Sequence, residues 1–252
     1  MSSPTRKDTT TSAPPSARTV GQPPASPSPR AEIDAFLQKV KSLGNTATAG
    51  KRGRLVFALD ATMSRQPTWD AACALQADMF REAASIGGLD IQLVYFRGLS
   101  ECRASGWVAD ADKLATLMRR ISCQGGHTQI GKVLSHARQE QARQRVQALV
   151  FVGDAMEEGI DDLSHAAGEL GLLGVPVFMF QEGRDPLAET AYREIARLSR
   201  GAYCRFDTGS AQQLAELLRA VAAYAAGGIK ALSDLSARKA GGARLLLAQM
   251  KN

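Results

Sequence analysis

Five side chains that end in oxygen occur in an order suited to gathering one hard cation: Asp60, Thr62 and Ser64 in LDATMS, Thr128 after Gly125-Gly126-His127, and Asp154 closing ALVFVGD. In DATMS one carboxylate and two hydroxyls alternate along a short loop, so their oxygens can line a single cup. The two glycines ahead of Thr128 let the backbone bring its hydroxyl close to another segment. Asp154 adds a second carboxylate at the same rim, provided that its strand lies beside the first. Hard oxygens with few formal charges favour Mg2+ or Mn2+, which prefer octahedral coordination and keep positions open for water or a guest carboxylate. The same residue types also cap helices, in which case Asp60 and Thr62 would start the first helix and Thr128 the next.

To meet, these residues must lie at the carboxyl ends of neighbouring strands, where open α/β sheets bind ligands as the strand order reverses. The runs LVFAL, IQLVYF, ALVFV and VPVFMF are short, continuous and apolar, as expected of strands buried on both faces of a parallel sheet. Strands are predicted over Leu55–Leu59, Ile91–Phe96, near Trp107, and over Leu149–Val152, Val175–Phe180 and Tyr203–Phe206. Helices are predicted from Trp69 to Ile86, Lys113 to Ile121, Ile130 to Ala142, Leu163 to Leu173, Thr190 to Leu198 and Ala211 to Ala226. The alternation predicts a doubly wound, mostly parallel open sheet with helices on both faces, Rossmann-like in layout. We expect this domain over residues 51–228. A Pro/Ser/Thr-rich tail over 1–30, with seven of the chain's ten prolines, is expected to be disordered. A docking helix and linker follow over 31–50, with Ile33, Phe36, Leu37, Val40 and Leu43 at helical spacing, and a C-terminal tail occupies 229–252.

The order of a DxTxS loop after the first strand, an isolated Thr before a helix and an Asp after a mid-chain strand resembles the metal-ion-dependent adhesion site, or MIDAS, of von Willebrand factor A (VWA) domains. The resemblance covers about residues 50–226. It implies that Ser64, Thr62 and Thr128 supply hydroxyl ligands, and that Asp60 and Asp154 bind the metal directly or through water. It further implies that an acidic side chain of a partner protein completes the metal shell. Partners of the kind implied are an AAA-type ATPase or another member of a multi-protein assembly. Thr62 stands where Ser is more usual, which keeps the hydroxyl and adds a methyl group.

Other features bound the reading. No P-loop, GxGxxG after a strand, HExxH or GxSxG is present, so a non-enzymatic interaction module is expected. The alternative is a phosphohydrolase resembling the haloacid dehalogenase superfamily, because GDAMEE approximates GDxxxD with Glu158 in the last place; it lacks the second Asp two residues after Asp60, where Thr62 stands. Glu157 and Glu158 could tune the metal or hold a second cation, or they could be solvated acids near a helix start. His127 reads as a loop histidine, without metal-binding companions in His136 or His165. Arg97, Arg103 and Trp107 read as part of a hairpin at the sheet edge, and Arg119, Arg120 and Arg138 to Arg145 as solvated helix faces. The 252 residues carry a formal charge of +6, with no aromatic-interleaved basic patch, so a nucleic-acid partner is not expected. Cys73, Cys102, Cys123 and Cys204 are scattered, and no run reaches the ~18 apolar residues that span a bilayer. A soluble, cytoplasmic protein is therefore expected.

Overall fold

Strand formation follows from burial on both sides. β1 (Gly53–Asp60) is buried at all eight positions, with side chains alternating between two apolar layers. In the computed structural model, which describes residues 52–69 and 89–206 and isolated helical positions at 34–35, 216, 220–221, 225 and 234, β1 leads into a 3-10 turn, Met63–Thr68. β2 (Leu89–Arg97), β3 (Glu101–Val108), α1 (Ala111–Met118), α2 (Ile130–Arg143) and β4 (Ala148–Gly153) follow. Then come α3 (Ile160–Leu172), β5 (Val177–Glu182), α4 (Pro186–Leu198) and β6 (Ala202–Phe206). Apart from those isolated positions, the docking helix, the helix from Trp69 beyond its first residue, the helix from Ala211 and both tails lie outside the described residues.

The six strands are ordered β3-β2-β1-β4-β5-β6, and every pairing is parallel except β2 with β3. This is the mostly parallel open sheet expected from the sequence. β1 sits between β2 and β4, so the chain changes direction across the sheet at β1 and opens a crevice at the ends of β1 and β4. One apolar layer joins Leu55, Phe57 and Leu59 to Leu114 and Met118 of α1, with Ala220, Val221 and Ala225 on the same side. The other joins Val56 and Ala58 to Ile130, Val133 and Leu134 of α2, Leu163 and Leu170 of α3, and Tyr192 and Ile195 of α4. Each such side chain removed from water contributes about 1.5–3 kcal/mol before ordering costs, so the two layers hold the rim of the sheet rigid.

Several boundaries differ from expectation. The strand expected near Trp107 spans Glu101–Val108 and forms an antiparallel hairpin with β2, with a register shift between Gln92 and Val94. β3 is only half buried, which erases the continuous apolar run that marks the other strands. α3 and α4 each start about a turn earlier than their apolar periodicity suggested, because Gly159 and Asp185-Pro186 set the starts. Asp185 caps α4 by accepting from the Ala188 N–H at 2.6 Å, and Pro186 follows in the first turn.

Candidate metal centre

β1 delivers Asp60 to the rim fully buried. Its Oδ1 accepts from the Thr62 N–H at 2.8 Å, while Oδ2 is buried with no hydrogen-bond donor. The Thr62 and Ser64 hydroxyl oxygens lie 3.0 Å apart, with Thr62 buried and Ser64 open to solvent. Parallel register brings Leu59 beside Val152, so Asp154, two residues beyond, emerges next to the DATMS loop. Asp154 Oδ1 is also buried without a donor.

Burial pushes the Asp60 carboxyl from its ordinary 3.8 up to about 6, and the like charge of Asp154 adds to the rise. Hydrogen bonds from Thr62 and the Arg65 guanidinium oppose it. That coupling places the two carboxylates within electrostatic reach of each other.

The segment leading to Thr128 is threaded against the DATMS loop and the β2–β3 turn. Ala61 N–H donates to Phe96 O at 3.0 Å and Gln124 N–H to Ala61 O at 3.0 Å, and Thr62 and Gln124 form an isolated parallel bridge. The segment then passes so close to the β2–β3 turn that a Cβ on Gly126 would stand 1.9 Å from Gly98 O. His127 N–H donates to that same carbonyl at 3.2 Å. Thr128 follows, itself buried.

No side-chain capping bond is made at the two described helix starts beside these residues. Thr62 occupies the N-cap of the 3-10 turn without a side-chain capping bond, and the N-cap of α2 is Gln129, again without one. The orphan N–H groups at the start of α2 are met instead by Glu158, which accepts from Ile130 at 2.5 Å and Gly131 at 2.9 Å. Glu158 is thereby committed to a helix start, away from the acid-base role that a dehalogenase-type motif would give it. Glu157 accepts from Thr128 N–H at 3.0 Å and lies 3.0 Å from His127 Nδ1. Both glutamates thus lie at a helix start, that of α2, with Glu157 still exposed and Glu158 partly buried.

Among the other residues singled out, Arg97 pairs with Glu101 at 3.0 Å and donates to Ser122, and Arg103 pairs with Glu101 at 2.8 Å. Trp107 donates to Glu140 at 2.9 Å beneath the Arg54 guanidinium, which stacks 3.7 Å from its ring. His136 bonds Gln92 at 2.8 Å, and Arg119 and Arg120 are exposed.

Three residues near the site carried no sequence signal. Arg65, fully buried, forms an ion pair of 2.9 Å with Glu182 at the end of β5. Tyr192, fully buried on α4, donates its hydroxyl to Ala155 O at 2.8 Å and so braces the loop that holds Asp154. The apolar periodicity of α4 could have marked Tyr192 as buried, but its partner depends on strand order. Among the described residues, no group of three or more His, Cys, Asp or Glu side chains is arranged to hold a metal, so any cation at this rim would depend on hydroxyls as well as carboxylates.

No family model matches the chain, and no curated protein does. Solved structures do. A von Willebrand factor type A protein from Catenulispora acidiphila superposes with a TM-score of 0.55 at 19% identity, covering 69% of this chain and 43% of that one. The SpRpn10 VWA domain gives 0.54 at 15% identity, covering 66% and 94%. Proximal thread matrix protein 1 from the mussel byssus, with a zinc-occupied MIDAS motif, gives 0.55 at 16%, covering 68% and 46%. This chain thus spans less than half the length of the Catenulispora and mussel chains. Sheet order, the crevice beside β1 and these superpositions agree: the chain has the fold of a von Willebrand factor A domain.

Proposed function

We propose that the chain is a divalent-cation-dependent protein-interaction module, holding Mg2+ or Mn2+ on Asp60, Thr62, Ser64, Thr128 and Asp154. The observation that carries this reading is the pair of buried carboxylate oxygens, Asp60 Oδ2 and Asp154 Oδ1, that have no hydrogen-bond donor. Burying two such acceptors side by side is costly unless a cation offsets them. Two carboxylates and three hydroxyls match the hard-oxygen set that Mg2+ and Mn2+ prefer and leave coordination positions for water or a guest. A bound cation would supply a positive anchor for a carboxylate.

A partner's Asp or Glu side chain would take that anchor. Met63, 53% exposed between two of the ligands, offers an apolar contact beside it. The partner is the kind that the resemblance implies, an AAA-type ATPase or another subunit of an assembly. The interaction unit runs over 51–228, with the segments 1–30, 31–50 and 229–252 as tail, docking helix with linker, and second tail. The scattered cysteines support a cytoplasmic setting. No described helix is long and apolar enough to cross a membrane.

Titration of Mg2+ and Mn2+ into the full chain by calorimetry tests this, with Asp154→Ala as control and a generic phosphoester assayed in the same preparation. Binding without turnover, lost in the variant, is the expected result. Absence of metal binding overturns the proposal, and metal-dependent turnover replaces it with an enzyme.

A further inference from the structure

The β4–α3 loop places Glu157 and Glu158 three and four residues after Asp154, and both side chains reach across to the segment that carries Thr128. We infer that Glu157 and Glu158 are positioning residues of the metal centre, a two-point clasp that sets Thr128 against Asp154. This rests on the metal-centre reading.

At the first point the contact is reciprocal. The Glu157 carboxylate accepts from Thr128 N–H at 3.0 Å, and Thr128 Oγ1 accepts from Glu157 N–H at 3.0 Å. A ring closed by two bonds leaves the Thr128 side chain little rotational choice. It uses one acceptor lone pair of the hydroxyl and leaves the other for a ligand. At the second point Glu158 satisfies the N–H groups of Ile130 and Gly131, where its charge also complements the helix N-terminus. A Cβ on Gly131 would stand 3.1 Å from Glu158 Oε2, so a small residue there gives the carboxylate its room. The start of α2, and Thr128 just ahead of it, is held by the neighbouring loop rather than by its own N-cap Gln129. Removing partners of this kind, which orient metal ligands without touching the metal, typically costs about 10–100-fold in metal affinity.

Glu157 separates positioning from plain electrostatics. Mn2+ is titrated into the full chain and its Glu157→Ala, Glu157→Gln and Glu157→Asp variants, with the thermal midpoint of each recorded. We expect Glu157→Ala to weaken Mn2+ by about tenfold. Glu157→Gln, which keeps an oxygen acceptor at the same reach, should return to within about threefold of the parent. Glu157→Asp keeps the charge on a shorter arm and should stay weak. Parent-level binding in Glu157→Ala, or a Gln variant as weak as Ala with Asp restored, overturns the clasp. A parent chain that binds no Mn2+ fails the metal-centre reading itself, a separate outcome.

Discussion

Arg65 and Glu182 form an ion pair of 2.9 Å in which the arginine side chain has no exposure and the glutamate 10%. The pair ties the loop of Thr62 and Ser64 to the end of β5, and sets a permanent positive charge near Asp60. Removing one partner strands the other charge in a dry interior. Arg65→Met should therefore cost about 3–5 kcal/mol, and the double variant with Glu182→Gln should recover part of that loss. Urea unfolding in chelator gives both values; additive losses would show that the two side chains do not act as a pair.

Asp60 makes the metal-free protein sensitive to pH. Its folded-state value of about 6 lies above the ordinary 3.8, so between those values the folded protein holds a proton that the unfolded chain lacks. Stability in chelator should rise as pH falls through 6, by up to about 3 kcal/mol, and level off below the unfolded value. Asp60→Asn should flatten this dependence in denaturant titrations between about pH 4 and about pH 7.5. A cation reverses the preference, since it needs the ionised form. Mn2+ binding should weaken below pH 6 and release close to one proton, seen as a buffer-dependent binding enthalpy.

Tyr192→Phe removes only the hydroxyl that Ala155 O accepts, within a helix face packed edge-on against Phe151 at 5.5 Å. The loss should be about 1–2 kcal/mol. Because Ala155 follows Asp154, cation affinity should fall as well, and a variant destabilised but unchanged in affinity would confine Tyr192 to the core.

Gly126→Ala should be poorly tolerated, because its Cβ would meet the Gly98 backbone at 1.9 Å. The loop must move away from the hairpin, taking Thr128 with it. Soluble protein with weakened Mn2+ binding is the expected outcome, whereas Gly125→Ala, whose Cβ meets nothing within 4 Å, should behave as the parent.

The central strands were legible because burial on both faces writes an unbroken apolar run, and the DATMS loop because its spacing is local. The full hairpin of β3 was not, since an edge strand with one open face mixes Arg103, Ser105 and Gly106 into its run. Helix starts are hidden where the first turn precedes the packed residues, as at Pro186. The contacts of Arg65 with Glu182, and of Glu157 and Glu158 with the start of α2, join segments far apart in the chain. Such pairs are set by strand order, which no local pattern encodes.

The antiparallel β3 also determines how the sheet ends. Its register slips between Gln92 and Val94, and the charged Glu101 and Arg103 lie along it. An irregular, charged margin is a poor template for a second copy seeking main-chain hydrogen bonds. The sheet therefore resists growing into a fibre through β3.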